Sequence, residues 1–101
     1  MPYIHHYKRD EMDGNIESLN ISIKSAGDLN YAITKLLHGF IETNGERYES
    51  YNSAIGVLDC ASKEFYRRKI VPYEELKIKE NGDIEWEVYL LMISFSIFGN
   101  K

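Results

Sequence analysis

The chain is poor in the features that usually announce a chemistry or a compartment. It has one cysteine, Cys60, so no internal disulfide is possible and a reducing compartment is expected. It has no excess of positive charge: the formal net charge is −4, and the basic footprint of a general nucleic-acid binder is missing. It has no long apolar run. The longest, residues 88–98, is broken by Ser94 and Ser96 and is about half of the ~20 residues a membrane helix needs, so no membrane partner is expected. Its opening, Met1-Pro2-Tyr3-Ile4-His5-His6, lacks the apolar core of a signal peptide. Together these absences point to the cytoplasm. No catalytic motif, metal signature, phosphate loop, internal repeat or low-complexity segment occurs, so the expectation is a protein that binds rather than catalyses, without a cofactor.

What is present is a composition that folds. The 101 residues are 44% hydrophobic and 28% charged, which fits one domain and argues against disorder. A chain this short buries only roughly 60–65% of its unfolded surface, so the core is modest. Aromatics are in surplus, with eight tyrosines, four phenylalanines and one tryptophan. Tyrosine pairs a large apolar body with a polar tip, which suits interfaces and ligand walls as well as core filling.

Periodicity predicts a mainly α fold with a smaller β part: a three-helix core containing an antiparallel helical hairpin, then a C-terminal β-hairpin and apolar tail. The first helix is expected over residues 8–24, with Met12, Ile16, Leu19 and Ile23 as its stripe and Asp10, Glu11 and Asp13 in its first turn. Gly14 and several isoleucines lower its propensity, so packing must hold it. The second is expected over residues 28–44, with Asp28 as N-cap, a stripe of Leu29, Ile33, Leu36, Leu37, Phe40 and Ile41, and a stop at Asn44-Gly45. The third is expected over residues 49–71, with Tyr51, Ile55, Leu58, Ala61 and Phe65 as its stripe and small residues beside it that allow another helix to approach. Pro72 restricts Val71 and should end or kink it.

Over residues 75–98 the period changes. Leu76, Ile78, Ile84, Trp86 and Val88 alternate with charges, a strand pattern. A three-residue loop Glu80-Asn81-Gly82 pairs Ile78 with Ile84 and Leu76 with Trp86 on one face, and Lys79 with Asp83 and Lys77 with Glu85 on the other. From Val88 on, both faces are apolar, so this segment is a buried strand or a buried helix; an exposed edge there would aggregate. Such a tail is expected to be buried in a homo-oligomer.

Four constellations carry possible chemistry. His5-His6 lack further ligands at a metal spacing and read as a polar terminus. Cys60 with His38 lacks the elbow and oxyanion donors of a nucleophile, so Cys60 reads as a small core residue. Acid-first pairs four apart, Asp59 with Lys63 and Glu64 with Arg68, read as helix support. The remaining cluster is the best functional candidate. Lys63 and Arg67 share a helix face, Arg68 and Lys69 follow, and Tyr66 and Tyr73 flank them. Guanidinium forks and aromatic plates are what an anionic, base-containing ligand such as a nucleotide needs, although cations at a helix C-terminus also simply complement the dipole. Asn30, Tyr31, Thr34 and His38 form a polar flank of the second helix that lines the same cleft or faces solvent.

Residues 29–38 (LNYAITKLLH), the segments 54–58 (AIGVL) and 64–68 (EFYRR), and residues 71–74 (VPYE) with 79–83 (KENGD) resemble a family of small uncharacterised proteins, a domain of unknown function found in bacteria, phages and mobile elements. The resemblance spans most of residues 2–84, and the chain departs from it after Asp83. It implies a phage or mobile-element protein of the cytoplasm and brings no catalytic residues. The functional expectation is a phage-type protein that sequesters an anionic nucleotide-like signal, similar in size and style to small oligomeric phage proteins that soak up host immune nucleotides. The alternative is a module that binds and inhibits a host protein through its tyrosines.

Overall fold

A computed structural model describes residues 4–84, which are mainly α-helical. It falls into two compact units, one ending at Glu64 and the next beginning at Phe65. Helix α1 spans His6–Ser22, α2 Ala26–Asn44 and α3 Tyr48–Phe65; a π-helical turn, Tyr66–Ile70, leads into α4, Val71–Asn81.

Helix α1 begins earlier than its acidic residues suggest, so Asp10, Glu11 and Asp13 lie beyond the first turn. The start is set by backbone and a basic side chain. His5 is extended, its carbonyl accepts from the amides of Lys8 and Arg9, and the Arg9 Nε donates to the Ile4 carbonyl at 2.9 Å.

The cap of α2 is Ser25, not Asp28. The Ser25 Oγ accepts from the Asp28 amide at 3.1 Å, while the Asp28 carboxylate accepts from the Lys24 amide at 3.0 Å. This is the reciprocal logic of a capping box: a hydroxyl and a carboxylate three residues apart each satisfy an amide that the helix cannot. Asp28 is a participant three residues into that box, which moves the helix start to Ala26. At the other end the expected stop holds. Gly45 has φ 94° and ψ 153°, a region only glycine enters cheaply, and its amide donates to the Ile41 carbonyl at 2.7 Å. The turn is tied by side chains, with the Asn44 Nδ2 on the Phe40 carbonyl at 2.8 Å and the Arg47 Nη2 on the Asn44 carbonyl at 3.1 Å.

The interior of the first unit is thin. Among the described residues the buried apolar ones are Ala32 and Ala54, and no large side chain is fully buried. Ser50 is also buried, with its Oγ 3.4 Å from the Asn44 carbonyl. The expected three-helix core therefore takes the form of helices flanking grooves, with Ile23, Leu37, Ile41 and Leu58 half-buried and Leu29, Leu36, Ile55 and Phe65 exposed.

The second unit departs from expectation in two ways. The helical path does not end at Pro72 but runs on as α4, with the proline in the first turn of that helix. The π turn precedes it: the hydrogen-bonded loop is widened, and the Val71 amide reaches back five residues to the Tyr66 carbonyl just before the proline. The first arm of the expected β-hairpin is helix: Leu76, Lys77, Ile78 and Lys79 lie in α4, so the pairings Ile78–Ile84 and Lys79–Asp83 do not form. Gly82 does adopt positive φ, 84°, but as the end of α4, its amide donating to the Ile78 carbonyl at 2.8 Å. The partners Glu85 and Trp86 and the apolar tail lie outside the described residues. Helix wins over strand because Pro72 at the start, Glu74 in the first turn, Lys79 in the last and Gly82 just past the end are all helix signals. Lys77 adds two local ties, an ion pair to Glu80 at 3.1 Å and a position over the Tyr73 ring, 5.5 Å from its centroid.

Candidate functional site

The basic cluster divides between the two units. Lys63 closes α3, and its Nζ donates to the Asp59 Oδ2 at 2.8 Å. That hydrogen bond, with the carboxylate charge behind it, raises the Lys63 pKa above the ordinary lysine value. Arg67, Arg68 and Lys69 belong to the π turn of the second unit. Arg67 and Arg68, like Glu64, are engaged in interactions in the structure rather than projecting without partners. Tyr66 shares the turn, its hydroxyl 3.5 Å from the Glu74 Oε2, and Tyr73 follows in the first turns of α4; both rings are exposed. The second unit therefore carries two guanidinium groups, an ammonium group and two aromatic rings within eight residues of sequence. Glu74 beside Tyr66 makes the surroundings mixed rather than uniformly positive.

The polar flank of α2 does not act as one surface. Asn30 is occupied locally: the Thr34 hydroxyl donates to its carbonyl at 2.8 Å and lies 3.3 Å from its Oδ1. Tyr31 lines a groove of about 480 Å³ between α1 and α2, with Leu19, Ile23, Ala32 and Leu36. His38 and Thr34 line another, of about 380 Å³, between α2 and α3. Tyr31 and His38 are seven residues apart and so lie on one side of α2, but α1 meets the N-terminal half of that helix and α3 its C-terminal half. The capping box at the α1/α2 groove carries charge, since Asp28 lines that groove. Its carboxyl is held below the ordinary value, first by the Lys24 amide and then by the Ser25 side chain.

The α2/α3 groove itself was not read from sequence. It is lined by apolar Leu37, Ile41, Ala54, Ile55 and Leu58 and by polar Thr34, His38, Glu42, Glu46 and Tyr51. The apolar stripes of both helices were visible, but that Glu42 and Glu46 line the same groove was not. Cys60, expected in the core, is exposed on α3. Among the described residues no group of three or more His, Cys, Asp or Glu side chains could hold a metal ion. No described helix is long and apolar enough to cross a membrane.

Fold and site thus define a small helical domain with a basic, aromatic turn and two open grooves. A family model for a domain of unknown function, DUF6899, matches residues 1–84, and the chain belongs to that family. Neither the curated proteins nor the solved structures contain a match to this chain.

Proposed function

We propose that the protein is a non-catalytic binding protein that sequesters an anionic, nucleotide-like small molecule, acting in the cytoplasm as a homo-oligomer and as a phage-type sponge for a host defence signal. The observation that supports this reading is the π turn, whose five residues include Tyr66, Arg67, Arg68 and Lys69, with Tyr73 three residues further on. Guanidinium groups bind phosphate in paired, charge-assisted hydrogen bonds, and an exposed tyrosine offers a face on which a base stacks. Single π turns inside helices are frequent at functional sites. In binding, a phosphate would compete with the interactions that Arg67 and Arg68 already make.

The test is a heat-released extract of protein purified from cells with an active nucleotide-signalling system, read for nucleotide absorbance and by mass spectrometry. The wild type is expected to release a ligand. Arg67→Ala/Arg68→Ala should release none, at unchanged helicity, because alanine is the best helix former. Each lost charge-assisted bond costs roughly 1.5–3 kcal/mol, about ten- to a hundredfold in affinity. A ligand-free wild-type extract, or a double variant that keeps its ligand, overturns the reading.

A second reading, a module that binds and inhibits a host protein, is favoured by one observation: Tyr7, Tyr31, Tyr48 and Tyr51 of the first unit are exposed as well. Tyrosine is enriched at the centres of protein interfaces. A clean extract together with a stoichiometric host protein retained by the wild type, and lost on Tyr48→Ala/Tyr51→Ala, would favour it over the sponge.

A further inference from the structure

Two sides of helix α2 line grooves within the chain. Thr34, Leu37 and Ile41 line the α2/α3 groove. Tyr31, Ala32, Lys35 and Leu36 line the α1/α2 groove. Leu29, Ile33 and Phe40 line neither of these grooves, and together with Leu36, which is shared with the α1/α2 groove and is 64% exposed, they form an exposed stripe.

The spacing along that side is four, three, four: Leu29, Ile33, Leu36, Phe40. This is the alternation of a heptad seam, with Ile33 and Phe40 at one kind of position and Leu29 and Leu36 at the other. The spacing is shared with any amphipathic helix, and it also permits packing on a copy of itself, knobs from one helix entering the holes of an identical partner.

The residues flanking the seam agree. Its neighbours on either side are Asn30 and Leu37, and Ala32 and Gly39, none of them charged, so two copies meet without like-charge repulsion. A Cβ built on Gly39 would meet nothing within 4 Å, so space is open for another backbone beside Phe40.

The area is also of the right size. The four side chains are 49%, 38%, 64% and 39% exposed. At about 100 Å² for a half-exposed large side chain they offer roughly 400 Å² of apolar surface per copy. A standard interface takes about 800 Å² from each partner, of which about 65% is apolar in homodimers, or roughly 500 Å². The seam supplies most of that apolar part, and polar neighbours such as Asn30 and Thr43 form its rim.

We infer that a second copy of this chain covers the Leu29–Ile33–Leu36–Phe40 side of α2, the two helices packing side by side along a short heptad seam. This gives the oligomer proposed above a specific surface and rests on that reading only for the existence of an oligomer. The surface is separate in sequence from the basic turn, so ligand binding can fail while assembly stands.

The experiment measures molar mass by light scattering and sedimentation from about 1 to 100 µM, on four proteins: wild type, Ile33→Glu/Leu36→Glu, Ile33→Ala/Leu36→Ala and, as control, Val57→Glu. Val57 is 61% exposed on α3 and lines neither groove. The wild type and the control are expected to be dimers. The glutamate pair should be monomeric, or unfolded if α2 needs its partner. The alanine pair keeps helix propensity and should weaken the dimer about a hundredfold or more, since four large side chains leave the interface. A wild type that is monomeric throughout overturns both the oligomer and the seam. An alanine pair that dimerises like the wild type, or a control that falls apart equally, overturns the seam alone.

Discussion

The two units solve the same problem, holding short helices in water, by different means. In the unit beginning at Phe65 the support is local. Lys77 pairs with Glu80 and lies over Tyr73, Tyr66 reaches Glu74, Glu74 and Lys79 complement the dipole, and Gly82 closes the helix. In the unit ending at Glu64 the termini are as carefully tied, by the Ser25–Asp28 box and the Gly45 turn, but the long apolar sides of α2 and α3 remain substantially exposed. Isolated helices of this length are marginal, and most helical stability in proteins comes from packing an apolar face. The contrast is one of means: the described part of the second unit ties α4 by contacts within one helical path, with Phe65, Leu76 and Ile84 still exposed, whereas the first unit ties its helix ends and leaves the apolar sides of α2 and α3 open.

The sharpest way to test that contrast uses the two glycines with the same backbone conformation. Gly45 and Gly82 have φ 94° and 84°, each with an amide bonded four residues back. Gly45→Ala should cost about 1–3 kcal/mol, because a β-carbon is strained there and the turn joins two helices. It should show as a lower thermal midpoint for the loss of helical circular dichroism. Gly82→Ala carries the same local strain, but the described chain beyond it holds no further helix. Its effect should be confined to fraying of α4, seen by hydrogen exchange at Lys79 to Gly82, with the main transition nearly unmoved. Equal shifts in the main transition would show that α4 is coupled to the rest.

Next in size is the capping box. Ser25→Ala should cost about 0.5–2 kcal/mol, the usual loss on removing a cap hydroxyl, and should lower the midpoint of α2 without affecting α4. It also has a pH signature. The Asp28 pKa is lowered in the folded chain, by the Lys24 amide and then by Ser25. Its contribution is therefore present above the unfolded carboxyl range and is lost as pH falls through the folded value. A helicity titration from pH 6 down to 2 should show an acid-side loss that is shallower in Asp28→Asn. Superimposable curves for the two proteins would remove Asp28 from the account.

The smallest effect is on the alkaline side. The Lys63 pKa is raised by the hydrogen bond its Nζ donates to Asp59, so its contribution is complete below the unfolded lysine value and fades as pH rises through the folded one. The pair is exposed, with side chains 75% and 61% accessible, so screening leaves it little to contribute. Asp59→Asn should slightly reduce helicity near neutral pH, with the difference vanishing above the lysine range or in molar salt. A large, salt-insensitive loss would mean that Asp59 has a structural role beyond this pair.

Much of the helical architecture was legible because its signals are local. The stripe from Leu29 to Ile41 places α2, and Asn44-Gly45 ends it where expected. What was misread shares one cause: a signal with two meanings. Asn81-Gly82 marks a hairpin turn or a helix end, since both need positive φ at glycine. With only Leu76 and Ile78 in the described first arm to suggest alternation, the helix-favouring run from Pro72 to Lys79 decides it. Ser25 and Asp28 are both good caps, and the spacing of three between them, rather than either alone, identifies the box. Pro72 reads as a break only if the turn before it is α-helical, and nothing local in Tyr66–Ile70 announces a π turn. For the candidate site, the nearness in sequence of Tyr66, Arg67, Arg68, Lys69 and Tyr73 was legible directly. The parting of Tyr31 from His38, and the presence of Glu42 and Glu46 in a groove with apolar residues of α2 and α3, depend on where α1 and α3 cross α2, which no periodicity encodes.

The exposed thiol of Cys60 has a practical consequence. With one cysteine in the chain, and that one accessible on α3, a maleimide spin label or fluorophore attaches at a single known point without any engineered residue. An assembly of identical copies then carries one reporter per protomer, and dipolar spectroscopy returns the spacing between equivalent points. A dimer gives a single distance distribution, whereas a ring of three or four gives the multi-spin signature of its symmetry. The native chain thus already carries the ruler with which its own assembly can be counted.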